Sequence, residues 1–412
     1  MSKIDNNLNT LYLFTSQFPY GNKEAFIGNE IPFLAKKFNK VVVISGAKKK
    51  TLINCLPKNV EVRSIIYDYK FSFKEITVSL FSRALINEIF LMVFFYKKLP
   101  TTGRIKTIIK SNANSFRLKN LYINEIDSKD SKVYLYSWWF NDSTIALSLM
   151  KKENPSLKVY TRAHRWDLYF EQNIYNYLPF RIQTCKHLDL LYSASKQGIL
   201  YCKNKWKISK YNNLKLSRLG VKPQKFLELS STKKIIVSCS NIIPIKRVEK
   251  IIKSISLIKT NDIKWVHFGS GLMSKKVEKM ASKLLNKKVA FEFMGYFENN
   301  LLLKWYKENN PSLFINLSLS EGIPVSIMEA MSFGIPCIAS SVGGCDELVT
   351  DSVGFPVSVN ASSEDVSLII DKFFMLPESE KKRLRKRAYN HIIENFNSTK
   401  NYTKFCESMI SD

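Results

Sequence analysis

Short apolar runs alternate with stretches of helical periodicity along most of the chain. Leu11-Tyr12-Leu13-Phe14 has the length of a buried strand, and residues 24–38 follow with Ile27, Ile31, Leu34 and Phe38 on one helical face. Val41-Val42-Val43-Ile44 returns as a strand, and strand, helix, strand at this spacing predicts the βαβ unit of a parallel sheet. Further strands are expected at residues 133–139, 158–164, 188–194 and 214–219. The alternation lapses over residues 223–234, where Ser230-Ser231-Thr232 reads as a linker. It resumes with a strand at 235–239 and a helix at 247–259 whose Val248, Ile251, Ile252, Ile255 and Ile258 share a face. Strands are expected again at 264–268, 289–294, 313–317 and 335–339, and charged helices with an apolar stripe at 378–387 and 389–409.

With 412 residues the chain exceeds one comfortable core and fits two domains of roughly 200 residues each. The pattern therefore predicts an α/β protein of two Rossmann-like, doubly wound domains. The first covers residues 1–222 with a helical basic insertion near 70–121, the second covers 232–385, and a terminal helix at 386–412 packs back on the first domain. Open sheets of this kind bind ligands beyond the carboxyl ends of their strands, so two in tandem are expected to face a central cleft.

Composition narrows the function classes. A content of 45% hydrophobic and 24% charged residues is that of a globular protein. The net charge of +28 admits nucleic acid, an anionic membrane or a phosphate-rich ligand, or a coding bias that loads Lys onto solvated surfaces. No helix-turn-helix, zinc-finger or RNP-like string accompanies it, so nucleic acid is not the expected partner. The seven cysteines are scattered with no C-x-x-C spacing and the four histidines lie apart, so neither a disulfide framework nor a metal centre is expected, and the compartment is read as cytoplasmic. The polar start Met1-Ser2-Lys3-Ile4-Asp5 is no signal-peptide pattern, and the longest apolar run, Leu91 to Tyr96, is too short for a bilayer span of about 20 residues.

The richest chemistry lies after the strand expected at 313–317. Gly322 lets the backbone approach a ligand, and Pro324 suits the first position of a helix. The main-chain N–H groups of Val325 and Ser326 at that helix start favour an anion such as a diphosphate. Glu321 and Glu329 flank the anion position, where carboxylates are useful as acceptors for sugar hydroxyls. The string E-G-x-P-x-S-x-x-E-A-M-x-x-G-x-P, from Glu321 to Pro336, resembles the donor motif of the retaining family 4 glycosyltransferases of the GT-B class.

That resemblance implies a sugar contact at Glu321, a diphosphate cradle at Gly322, Ile323, Pro324, Val325 and Ser326, and a ribose contact at Glu329. Phe268-Gly269-Ser270-Gly271 and the Gly343-Gly344 turn before Glu347 are similar to the family's glycine turns. Ser238 to Arg247 resembles its phosphate-binding loop, with Lys246 at the Lys position and Asn241 where the family has Arg; Arg247 either replaces that charge or faces solvent. Phe18-Pro19-Tyr20-Gly21-Asn22-Lys23-Glu24 resembles a polysaccharide-assembling subgroup, which places acceptor contacts at Tyr20, Gly21 and Glu24. His164, in an H-x-x-D string closing a strand, is similar to the family's cleft histidine, with Asp167 orienting it or meeting the acceptor.

The implied function is retaining transfer from a UDP- or GDP-sugar to a saccharide or lipid-linked acceptor in capsule, exopolysaccharide or O-antigen synthesis. No metal or other cofactor is expected, because Lys246 and the helix start supply the charge a divalent ion would give and no D-x-D string occurs. A sugar-phosphate synthase and a catalytically inactive, membrane-associated scaffold are the alternatives. Basic residues interleave with Phe90, Phe94 and Phe95 in the insertion, which fits either a membrane-interface surface, peripheral at the inner face of the cytoplasmic membrane, or helices packed on the sheet.

Overall fold

The computed structural model describes residues 9–20, 22–48, 56–65, 73–127, 132–209, 211–228, 234–285 and 289–411. Gly21, residues 229–233 of the expected linker and the first residues of the insertion lie outside them. The chain divides into two compact units: Met1–Ser217 with Tyr402–Asp412, and Arg218–Asn401.

The first unit is built on seven strands: β1 (Asn9–Thr15), β2 (Lys40–Ser45), β3 (Val60–Ser64), β4 (Lys132–Ser137), β5 (Lys158–Ala163), β6 (Leu190–Ser193) and β7 (Leu214–Leu216). All pairs are parallel and the order is β3-β2-β1-β4-β5-β6-β7, with Leu11 beside Val41 on one flank and Tyr134 on the other. The central strands are buried on both faces, which is why they read as continuous apolar runs. β3 escaped that reading because Val-Glu-Val-Arg-Ser is a partly exposed edge strand. The single helix expected at 24–38 is instead a 3-10 turn, Asn22–Asn29, and a helix, Ile31–Lys37. Pro32 lacks the N–H that a helix running through from residue 24 would need, so the α-helix starts beside it.

The insertion is helical: Phe73–Leu80, Arg83–Phe90, a π-turn at Leu91–Phe95 and the long helix Thr102–Ile123. Leu85, Met92 and Ile108 pack with Ile145, Tyr177 and Phe180. Buried Glu88 accepts hydrogen bonds from the Tyr177 hydroxyl (2.5 Å), Phe180 N (2.7 Å) and Gln183 Nε2 (2.9 Å), pinning the insertion to the loop before the helix Arg181–Cys185.

The second unit has six parallel strands: β8 (Lys234–Cys239), β9 (Ile263–Phe268), β10 (Ala290–Phe293), β11 (Leu313–Asn316), β12 (Cys337–Ser340) and β13 (Phe355–Val357), in the order β10-β9-β8-β11-β12-β13. β13, three residues with a central proline, carries no periodicity to read. The helix after β8 is Val248–Ser256, its apolar stripe buried as expected, with Arg247 left outside in the left-handed region (φ 48°). The terminal helices are Glu378–Asn395 and Ser398–Ile410. They separate at Asn397, whose Oδ1 accepts from Thr399 N (3.0 Å) and Lys400 N (3.3 Å) and so starts a new helix. The second unit runs on to Asn401 before the chain returns to the first. Among the described residues no helix is long and apolar enough to cross a membrane.

In each sheet the strand order reverses once, between β1 and β4 and between β8 and β11. Loops leaving neighbouring strands diverge at such a switch point and open a crevice there.

Candidate functional site

The loops after β8 and β11 carry the donor-site candidates. Because β8 pairs with β11, with Ile236 beside Leu313 and Val237 beside Phe314, the segments following them emerge side by side. Leu319 N donates to Ile245 O (2.8 Å), tying one loop to the other. Lys246 Nζ then reaches Glu321 Oε1 at 2.5 Å, although the two lie far apart in sequence. Asn316, the polar residue that ends β11, donates to the same oxygen at 3.3 Å and accepts from Ser318 N at 3.0 Å. It is a site residue that sequence reading missed; its one signal is a buried Asn closing the otherwise apolar run Leu-Phe-Ile.

The turn Gly322-Ile323-Pro324 leads into the helix Val325–Met331. Pro324 is the capping residue with extended backbone (φ −76°, ψ 113°) rather than the first helical residue, so the helix begins one position later than expected. Its first N–H groups, those of Val325 and Ser326, have no acceptor within the helix by construction. A second turn presses on this one: Gly344 N donates to Gly322 O at 2.6 Å. Gly343 has φ +57°, and a Cβ there would lie 1.8 Å from Glu321 O. Only glycine lets the two turns approach this closely.

Glu329 is buried within the same helix and accepts from Asn299 Nδ2 at 2.6 Å. Burial raises its carboxyl from the ordinary range to about 7. The half-buried thiol of Cys239, at the end of β8, is raised to about 12, by desolvation first and then by the Glu329 charge, with Lys246 opposing. Glu329 and Lys246 thus both act on one thiol. Asn299 had no sequence signal, lying in the polar run Glu298-Asn299-Asn300 distant from the motif.

The glycine turn after β9 backs the loop after β8. Gly269, at φ +133°, has Ser240 O 1.9 Å from where a Cβ would stand, and Ser270 O accepts from Ile242 N at 3.0 Å next to Gly271. Asn241 is exposed on that loop. Arg247 is half-buried and turned onto the loops around it. Its guanidinium donates to Leu317 O (2.5 Å), Val359 O (2.8 Å), Ser318 O (3.5 Å) and Ser340 Oγ (3.1 Å), which commits it to holding three loops together.

In the first unit the loops after β1 and β4 meet through Glu24. Its carboxylate accepts from Ser16 N (3.2 Å), Gln17 N (2.6 Å), Phe18 N (2.7 Å) and the Trp139 indole N–H. Four donors exhaust what an ionised carboxylate accepts, so Glu24 clamps the loop rather than meeting an acceptor. Tyr20 is buried beside it, and Gly21 lies outside the described residues. Asp167, fully buried, accepts from His164 N (2.9 Å), Arg165 N (3.2 Å) and Phe140 N (2.9 Å). Asp167 therefore orients His164 through the main chain and is not itself an acceptor contact.

The His164 ring stacks on Trp138 (centroids 5.3 Å apart, 17° between planes) with its edge toward Trp139. Burial, then the charge of Arg162, lowers its pKa to about 3, so the imidazole is neutral at physiological pH. It hydrogen-bonds the Trp138 main chain, and its Nε2 has no partner within the protein. The neutral ring is thus held through its other nitrogen, while Nε2 is buried and keeps a free lone pair.

Two all-parallel, doubly wound units of this topology constitute the GT-B fold. Residues 222–391 match the family model described as Glycosyl transferases group 1. The chain is 27% identical over 206 residues to the O-antigen biosynthesis glycosyltransferase WbnH of Escherichia coli, a match covering 47% of this chain and 57% of that protein. It thus spans about half the length of the curated relatives it matches. A glycosyltransferase of Rickettsia africae superposes with a TM-score of 0.69 at 16% identity over 98% of both chains. Anabaena HepE in complex with UDP superposes with a TM-score of 0.65 at 15% identity, covering 98% of this chain and 100% of its own.

Proposed function

We propose that the protein is a retaining, metal-independent family 4 glycosyltransferase that moves a sugar from a UDP- or GDP-sugar to a saccharide or lipid-linked acceptor during surface polysaccharide assembly. The observation that carries this reading is the convergence of Lys246, Asn316 and Glu321 at the β8/β11 switch point, beside the Gly322–Ser326 turn. A diphosphate at that turn takes hydrogen bonds from the helix-start N–H groups and charge from Lys246. Glu321, released from Lys246 as the lysine turns to phosphate, accepts hydroxyls of the transferred sugar, and Glu329 accepts those of the ribose. Neutral His164 accepts a sugar hydroxyl at Nε2.

In the proposed step the bond from the anomeric carbon to the diphosphate oxygen breaks and its electron pair leaves with the nucleoside diphosphate. The acceptor oxygen bonds to the same face of that carbon, and its proton passes to the departing phosphate. Lys246 and the helix start stabilise the developing charge, and positioning supplies the rest. The relatives' roles in O-antigen assembly support a polysaccharide acceptor.

The reading is tested by thermal shift with UDP, GDP, ADP and CMP, since a ligand at about 100 times its Kd adds roughly 2.7 kcal/mol. One of the diphosphates is expected to raise the melting temperature; no shift with any of the four refutes the donor site. Donor turnover in EDTA then separates an active enzyme from a silent scaffold that binds without transfer.

A further inference from the structure

The outer face of the helical insertion displays apolar side chains. The helix Arg83–Phe90 turns Leu85 and Glu88 inward, yet Ile86 is 62% exposed, Phe90 59% and, one turn beyond, Phe94 68%. These three follow at intervals of four, and the Phe90 and Phe94 rings lie 4.8 Å apart, so they form one stripe. Phe81, 85% exposed, and Leu99, 75% exposed, bound the segment in sequence. A helix apolar on both its inner and outer faces requires a second apolar neighbour.

The exposed charges of the segment are all of one sign. Between residues 76 and 110 the sole acidic residue is Glu88, which is buried and bonded inward, whereas Arg83, Lys97, Lys106 and Lys110 are exposed. A second basic segment joins them: Lys207 Nζ donates to Phe95 O at 2.6 Å and sits 4.6 Å over the Phe95 ring. A second copy of this chain would bring its own basic residues against these, and like charges would oppose the pairing. A fluid surface of anionic headgroups has the opposite charge and accommodates protruding aromatic side chains without a matched shape.

We propose that this face docks on an anionic lipid bilayer, the Ile86-Phe90-Phe94 stripe entering the acyl boundary and the flanking Lys and Arg side chains meeting headgroup phosphates. The inference does not rest on the glycosyl-transfer reading, because its readout is binding. The full chain is sedimented with vesicles of phosphatidylcholine alone and with vesicles containing about one third phosphatidylglycerol. Binding to the anionic vesicles is expected to exceed that to neutral ones by at least about tenfold and to fall with salt. The triple variant Phe81→Ser, Phe90→Ser, Phe94→Ser changes only exposed rings and is expected to lose binding at least about tenfold with an unchanged circular dichroism melt.

The double variant Lys97→Glu, Lys207→Glu tests the charge separately and is expected to abolish the preference for anionic vesicles. Equal binding to both vesicle types, undiminished binding by the triple variant, or no binding at all overturns the proposal. A dimer in solution that the triple variant dissociates, without vesicle binding, assigns the face to a second copy instead.

Discussion

Lys246 and Glu321 neutralise each other across 2.5 Å in a largely buried position, and the proposed function needs both. Lys246→Ala and Glu321→Ala are each expected to reduce sugar transfer at least about tenfold, about 1.4 kcal/mol or more of transition-state stabilisation, with the fold retained by circular dichroism. Near-normal turnover in both would remove the site assignment. Glu329 supplies a pH signature. Its carboxyl titrates near 7 in the folded protein against an ordinary value of 4.5, so between these values the unfolded chain is ionised while the folded one holds its proton. Its contribution to stability is full below about 4.5 and is lost as pH rises through about 7. Glu329→Gln should flatten the stability profile across that window in urea titrations, and should weaken any tightening of nucleotide binding between pH 6 and 8, because an ionised carboxylate accepts ribose hydroxyls more strongly than a neutral group does. His164, with a pKa near 3, contributes no step in that range. The string from Glu321 to Glu329 was legible because its residues are consecutive. Asn316, Asn299 and the commitment of Arg247 to four acceptors were not, because each depends on loops that meet only once β8 and β11 pair.

Two glycines test the turn architecture. Gly343→Ala forces a left-handed residue and a Cβ against Glu321 O, so the Glu321-Gly322 turn must shift, whereas Gly295 shares a positive φ (66°) but has nothing within 4 Å of its Cβ position. Gly343→Ala is expected to weaken nucleotide binding at least about tenfold by calorimetry, while Gly295→Ala costs about 1 kcal/mol of stability and leaves affinity unchanged. Equal effects would mean that backbone strain alone, not the contact between turns, governs the site. At this scale most of the two sheets could be read from the chain, because parallel strands buried on both faces leave continuous apolar runs. The misses are physical: β3 is a half-exposed edge, β13 spans three residues, and the apolar stripe of residues 24–38 continued across Pro32, where helical hydrogen bonding cannot. The Glu24 clamp shows the same limit, since its partners come from the β1 and β4 loops.

The first unit is assembled from two separated stretches of chain. Tyr402, Phe405, Cys406 and Met409 are all buried in it, Phe405 beneath the Arg162 guanidinium and Tyr136, while the Tyr160 hydroxyl donates to Met409 O at 2.7 Å. Arg162 is fully buried and paired with Glu30 at 2.6 Å. Truncation after Asn401 removes four buried side chains, on the order of 5 kcal/mol or more of apolar burial, and uncovers this ion pair. The shortened chain is expected to lose the first unit's cooperative melt in calorimetry while residues 218–401 retain theirs; an unaltered first transition would refute the tail's role. The same feature sets an order of events during synthesis. Residues 9–217 leave the ribosome first, but the segment that completes their core follows only after all of 218–401 has been translated, roughly ten to forty seconds later at ordinary rates. For that interval the earlier-made half has an uncovered seam while the later-made half already holds everything its own sheet requires, so a trigger-type chaperone would be needed most by the part of the protein that is born first.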